Sequence, residues 1–149
     1  MNNNISSKPF YEVKLTVPFY DLDPMQIVWH GNYFKYFDTA RNGLFEHLGI
    51  KLFDLYTKGK YAFPLIRTST KHIYPLRFQD EFICRATLGN VDIKIETEFE
   101  IRLVKDNTLC VKGKSEQVVL KLPEMETMLK LPDEILEALK PSEINHKGF

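Results

Sequence analysis

Two carboxylates, an imidazole, two carboxamides and the only tryptophan fall within one stretch, Phe19-Tyr20-Asp21-Leu22-Asp23-Pro24-Met25-Gln26-Ile27-Val28-Trp29-His30-Gly31-Asn32-Tyr33. Such groups move protons or attack an acyl carbon. The plainer reading is that Asp21 and Asp23 only turn the chain ahead of Pro24, and that His30 only marks a helix entry. Ile27, Val28 and Trp29 weigh against it, because apolar residues pin the connector to a core and hold its polar groups in place. Gly31 and Asn32 lead into a helical pattern whose first N–H groups lack intrahelical acceptors. With the positive end of the helix dipole they form a site for developing negative charge, as an oxyanion hole requires. Asp23, its following backbone fixed by Pro24, is the carboxylate placed to act on a bound carbonyl. Asp21 points the same way only if the segment stays extended.

The surrounding pattern is mostly of period two. Tyr11, Val13, Leu15, Val17 and Phe19 alternate with polar residues, as do Phe82, Cys84, Ala86 and Leu88, and Ile93, Ile95, Phe99, Ile101 and Leu103. These predict half-buried strands, one face to water. Leu109 to Leu122 reads as another long strand, with turns at Gly89-Asn90 and Asp106-Asn107. From Tyr33 to Leu48 the spacing is helical, and Phe34, Tyr36 and Phe45 widen the stripe to most of the circumference, which predicts a helix buried nearly all round. Asn32 is its expected N-cap and Gly49 its C′ residue. A short helix is expected from Asp133 to Lys140, after Pro132. The fold class is α+β: an antiparallel sheet wrapped around one central helix.

The chain has 149 residues, with 20 Lys+Arg against 20 Asp+Glu and no net charge. That excludes the basic excess of a nucleic-acid binder or a polybasic membrane-surface protein. The length fits one domain over 1–149, with 1–8 and 141–149 as tails. Cys84 and Cys110 sit in apolar patterns without metal spacing and read as buried free thiols of a reducing compartment. The N-terminus lacks the regions of a signal peptide, and no apolar run reaches membrane-spanning length, so a cytoplasmic protein without stable membrane insertion is expected.

The run Asp21-x-Asp23-Pro24-x-x-Ile27-Val28-Trp29-His30-x-Asn32-Tyr33, followed by Phe37-Asp38-x-Ala40-Arg41, resembles the signature of the hotdog-fold thioesterases of the 4-hydroxybenzoyl-CoA thioesterase type, and that of their relatives associated with the Tol–Pal system. The resemblance implies a thioesterase of lipid metabolism that hydrolyses an acyl-CoA or acyl-carrier-protein thioester. It makes Asp23 the nucleophile or general base, and the N–H groups of His30 and Gly31, with Asn32 and Tyr33 as neighbours, the oxyanion donors. His30 also becomes a second candidate through its side chain. Gln26 stands where many members have glycine, and is a candidate donor near the carbonyl or the leaving thiol. Phe19 replaces the catalytic tyrosine of the Tol–Pal-associated members. The family's sites lie at dimer interfaces, which implies a homodimer or dimer of dimers (a homotetramer), with Ser69 or Thr70 reaching the partner's pocket. No cofactor is implied; coenzyme A or phosphopantetheine enters with the substrate.

Other residues read more plainly. Asp38 and Arg41 form an i,i+3 ion pair. His47, His72 and His146 share no ligand spacing, so no metal site is expected. Arg67, Lys71 and Arg77 are solvated strand cations or phosphate contacts, and Pro64 and Pro75 place the strand between them at a sheet edge. Tyr36, Phe37, Tyr61 and Phe63 are candidates for an acyl pocket. The competing functions are a hotdog acyl dehydratase or hydratase, whose carboxylate belongs further along the helix, and a non-catalytic acyl-thioester-binding protein.

Overall fold

The computed structural model describes residues 8–140; most of the expected tails, and His146, lie outside them. In chain order the elements are β1 (Phe10–Thr16), a 3-10 turn (Phe19–Asp21), α1 (Asn32–His47), α2 (Leu52–Thr57), β2 (Tyr61–Ala62), β3 (Leu65–His72), β4 (Glu81–Val91), β5 (Ile95–Leu103), β6 (Leu109–Gln117), β7 (Leu120–Lys121), β8 (Glu126–Thr127) and α3 (Asp133–Leu139). The main sheet is five-stranded in the order β1-β4-β5-β6-β3, and a small one has the order β2-β7-β8. Neighbouring strands run antiparallel throughout.

Alternation sorts the main sheet as the sequence predicts. Phe82, Cys84, Ala86 and Leu88 of β4, and Ile95, Phe99, Ile101 and Leu103 of β5, are buried on the face that receives α1. Thr97 shares that face and is fully buried, its Oγ1 without a partner among the described residues. Phe37 of α1 stacks on Phe99, with ring centroids 4.4 Å apart and planes 10° from parallel. The same ring fills the space over Gly113, where a Cβ would come within 2.4 Å of it. Glycine here lets helix and sheet approach closely.

Several expectations are corrected. The helix is not buried all round: Lys35, Asp38, Thr39, Asn42 and Glu46 form an exposed stripe, because the sheet covers only one side of α1. Gly31, not Asn32, occupies the N-cap position. At the other end Gly49 has φ +86°, and the Ile50 N–H donates to the Phe45 carbonyl, as a C′ glycine should. The first strand stops at Thr16, because the chain passes through Pro18 into the 3-10 turn. Gly89 and Asn90 are not a turn; they lie within β4 where its register against β5 shifts, and the chain reverses at 92–94, which leaves Ile93 exposed. The long stretch from Leu109 divides into β6 and β7, and α2 was not expected from periodicity.

Pro64 and Pro75 do bracket an edge strand, β3, bonded only to β6 in the main sheet. On the opposite sheet face, one row is charged on every strand. Glu12, Arg85, Glu100, Lys112 and Lys71 stand directly across from one another on β1, β4, β5, β6 and β3. Arg85 pairs with Glu12 at 2.7 Å.

Both cysteines are fully buried and free. Burial pushes the Cys84 thiol up to about 12 and, with help from the Asp80 charge, that of Cys110 up to about 11. The thiolate is the reactive form, so neither should react with a maleimide at pH 8 while the protein is folded. Mass spectrometry should find both labelled only after denaturation.

Candidate active site

The connector between β1 and α1 is held by main-chain bonds in both directions. Leu22 and Val28 form an antiparallel bridge, and the Asp23 N–H donates to the Ile27 carbonyl at 2.8 Å, so 22–28 is a small closed loop. Val28 N–H donates to the Leu76 carbonyl and Ile27 bridges to Arg77, which ties the loop to the chain before β4. Apolar Val28 is buried, as the sequence required; Trp29 is half-exposed, with its ring against His30 at 5.0 Å.

Asp23 lies at the start of this loop, partly buried, and Oδ1 accepts the Met25 N–H at 2.8 Å. This bond leaves the carboxylate further lone pairs. Nearby, the Tyr33 phenol is buried and accepts the Leu76 N–H at 3.2 Å. Burial first, then nearby charges that include Asp80 and Asp23, raise its pKa, so it stays a phenol. His72 of β3 packs edge-on against Tyr33 with centroids 5.0 Å apart, which adds an exposed imidazole to this neighbourhood. Spacing did not reveal it, since His72 comes from an edge strand far along the chain.

At the helix entrance the Asn32 N–H donates to the Trp29 carbonyl and the Tyr33 N–H to the His30 carbonyl. The N–H groups of His30 and Gly31 have no acceptor among the described residues. Of the four expected amides, these two are the ones left unbonded. Gly31 has ordinary helical angles, φ −67° and ψ −23°, so its role is space. A Cβ there would lie 2.2 Å from the Trp29 ring. Gln26 is exposed with φ +66°, a conformation that glycine adopts without strain and other residues rarely take.

Asp21 does not face the same way as Asp23. The 3-10 turn sends its carboxylate inward, where it is 3 % exposed and accepts hydrogen bonds from Lys35 Nζ at 2.5 Å and the Tyr36 hydroxyl at 2.6 Å. Its carbonyl accepts the Trp29 N–H and Asn32 Nδ2. The Asn32 side chain is thereby engaged within the loop.

The remaining candidates separate. Ser69 pairs with Lys114 and faces the charged side of the sheet, whereas Thr70 pairs with Gly113 and faces the α1 side. Tyr36 and Phe37 are core residues. Phe63 lines a cavity of about 500 Å³ with Asn42, Leu52, Phe53, Tyr56 and Ala62. Asn42 lies about 15 Å along α1 from Asn32, so within one chain this cavity is distant from the helix entrance. Arg41 is buried, paired with Asp38, with its Nε unpartnered among the described residues. Among those residues no group of three His, Cys, Asp or Glu side chains could hold a metal ion, and no helix is long and apolar enough to cross a membrane.

The family model of the thioesterase-like superfamily matches residues 17–139, a span from the end of β1 through α3. The chain belongs to that superfamily. A protein of Aquifex aeolicus (strain VF5) that bears the provisional name of an esterase is 26% identical over 124 residues, covering 83% of this chain and 93% of its own. The 1,4-dihydroxy-2-naphthoyl-CoA thioesterase of Synechocystis superposes with a TM-score of 0.80 at 18% identity, over 87% of this chain and 95% of the other. The DHNA-CoA thioesterase of Staphylococcus aureus gives 0.81 at 19%, over 94% and 95%. The fold of this superfamily member is therefore the hotdog fold, as the sequence motif implied.

Proposed function

We propose that this protein hydrolyses an acyl thioester of coenzyme A or of an acyl carrier protein, with Asp23 as the catalytic carboxylate. The observation that carries this reading is the position of Asp23 on a loop closed against the entrance of α1, where the His30 and Gly31 N–H groups remain unbonded. A thioester carbonyl bound there points its oxygen at those amides, which stabilise the oxyanion as it forms. Asp23 either takes the proton of an attacking water or attacks the carbonyl carbon itself. In the first route the water oxygen bonds to carbon, the C–S bond breaks and the thiolate leaves with the sulfur electron pair. In the second, an Asp23 carboxylate oxygen bonds to the carbonyl carbon, the C–S bond breaks and the thiolate leaves, and water then hydrolyses the acyl-Asp23 anhydride to free acid and the Asp23 carboxylate. The His30 imidazole, exposed beside Trp29, is a second group on the same connector, between the 22–28 loop and α1.

The site is completed in this reading by a second copy of the chain. Support comes from the apolar residues exposed around it: Phe19, Tyr20, Met25, Trp29, Ile73 and Phe78 are each about half exposed or more. Such a patch marks a ligand or partner surface. Thr70, on the α1 side of edge strand β3, is the better placed of the two strand hydroxyls to reach a site across that boundary.

The test is thiol release from short, long and aromatic acyl-CoAs and from acylated carrier protein. Turnover of at least one class supports the reading, and acyl release from carrier protein alone assigns the substrate to a protein-delivered chain. Binding of acyl thioesters without release across the panel overturns it in favour of a non-catalytic acyl-binding protein. Gly31→Ala provides a local check: its Cβ must displace the Trp29 ring and with it the adjacent amide. Turnover should fall about 10–100-fold, with a changed tryptophan emission spectrum and a near-unchanged melting temperature.

A further inference from the structure

Asp21 is the more deeply buried of the paired aspartates, and the chemistry just proposed does not use it. Its carboxylate is 3 % exposed, against 52 % for the Lys35 side chain that pairs with it. A buried carboxylate is costly unless its charge and lone pairs are satisfied. Here Lys35 Nζ binds Oδ1 at 2.5 Å and the Tyr36 hydroxyl binds Oδ2 at 2.6 Å. Tyr36 itself is buried, and burial, then its hydrogen bond to Asp21, raise its pKa, which keeps it a donor.

The main chain of the same residue makes a second attachment. The Asp21 carbonyl accepts the Trp29 N–H at 3.0 Å and Asn32 Nδ2 at 2.9 Å. Asp21 thus joins four positions: Trp29, immediately before the free His30 amide; Asn32, the first residue of α1; and Lys35 and Tyr36 in its next turn. Two residues on, the chain delivers Asp23. Alongside the Leu22–Val28 bridge and the bonds to Leu76 and Arg77, Asp21 is the residue that ties the start of this loop directly to the first turns of α1.

We infer that Asp21 is a positioning residue that holds the catalytic carboxylate and the oxyanion donors in register by clamping the Asp23 loop to the first turns of α1. This rests on the thioesterase reading for its effect on turnover, but not for its effect on the loop. Reaction geometry tolerates little error, and a misplacement of about 1 Å costs on the order of 10²-fold. A group that positions without touching substrate changes kcat more than KM.

The experiment compares the parent with Asp21→Asn, Tyr36→Phe and Asn32→Ala. Each is followed by amide hydrogen exchange at Trp29 and at 22–28, by melting temperature, and by kcat and KM on the best thioester of the panel. Asp21→Asn keeps the shape but removes the charge and one of the two acceptor oxygens, so the bonds from Lys35 and Tyr36 cannot both stand. The expected result is Trp29 amide exchange faster by about 10-fold or more, kcat lower by about 10–100-fold with KM within about twofold, and smaller shifts of the same kind in the other two variants. Equal exchange at Trp29 in parent and Asp21→Asn overturns the inference, whatever the kinetics. So does a fall in kcat that simply follows global unfolding, seen as faster exchange in β4 and β5 as well. If the parent cleaves no thioester, the functional reading fails, and the exchange comparison still decides whether Asp21 clamps the loop.

Discussion

Asp23→Asn should fold like the parent and lose thioester hydrolysis by about 10²–10⁴-fold, the range a positioned general base contributes. If Asp23 is instead the nucleophile, the loss reaches the background set by the amides and binding alone. The fold should survive because Asp23 is only partly buried and its one recorded acceptor role, for the Met25 N–H, passes to the asparagine carbonyl oxygen. Thiol release measured alongside a thermal melt separates the two effects. Near-parental release from a well-folded variant would remove Asp23 from the mechanism and move attention to His30 and His72, the imidazoles of this neighbourhood.

The second large effect belongs to the core. Phe99 is 2 % exposed, stacked on Phe37 and approached by the Arg41 guanidinium at 6.0 Å from its ring. Phe99→Ala removes the surface that α1 rests on and should destabilise the fold by about 3–5 kcal/mol. Its sequence neighbour Glu98 points to the charged face, and Glu98→Ala should change stability by about 0.5 kcal/mol or less. Urea denaturation of the two variants measures the contrast. Similar losses at both positions would contradict the assignment of faces along β5.

That contrast was readable in the sequence, because a period of two with charged residues between apolar ones leaves a strand only one way to bury itself. The same rule failed at Ile93, which continues the alternation on paper but sits in the reversal at 92–94, exposed. Gly89 misled for a related reason: glycine marks bulges as well as turns, and only pairing with β5 distinguishes them. Helix α1 was placed to within a residue or two at both ends, yet its open side was not foreseen, since aromatic residues near the stripe edges hid the polar row Lys35, Asp38, Thr39, Asn42 and Glu46. No periodicity announced the short helix α2, whose residues include none that is buried.

At the site, the sequence located the loop and singled out Asp23, and it treated Asp21 as a possible companion. A separation of two puts both side chains on one face only in extended chain, and the 3-10 turn ending at Asp21 removes that condition. The partners that define Asp21, Lys35 and Tyr36, are 14 and 15 residues away on a helix. Only the folded approach of loop and helix makes them neighbours. Gln26 illustrates another kind of case: its φ of +66° is one that glycine adopts without strain, so the departure from the resembled motif carries a backbone cost that the sequence alone did not show.

The charged row of the main sheet has a consequence for how the molecule answers to salt. In the middle of the row that begins at Glu12, each cation faces a carboxylate, so added electrolyte weakens attraction there. At its end, Lys112 of β6 stands directly across from Lys71 of β3. Like charges placed opposite one another oppose strand pairing, and screening relieves that opposition. Ionic strength therefore acts with opposite sign on the two parts of one sheet: it loosens the β1–β4 side slightly and steadies edge strand β3, the strand that sets His72 against Tyr33.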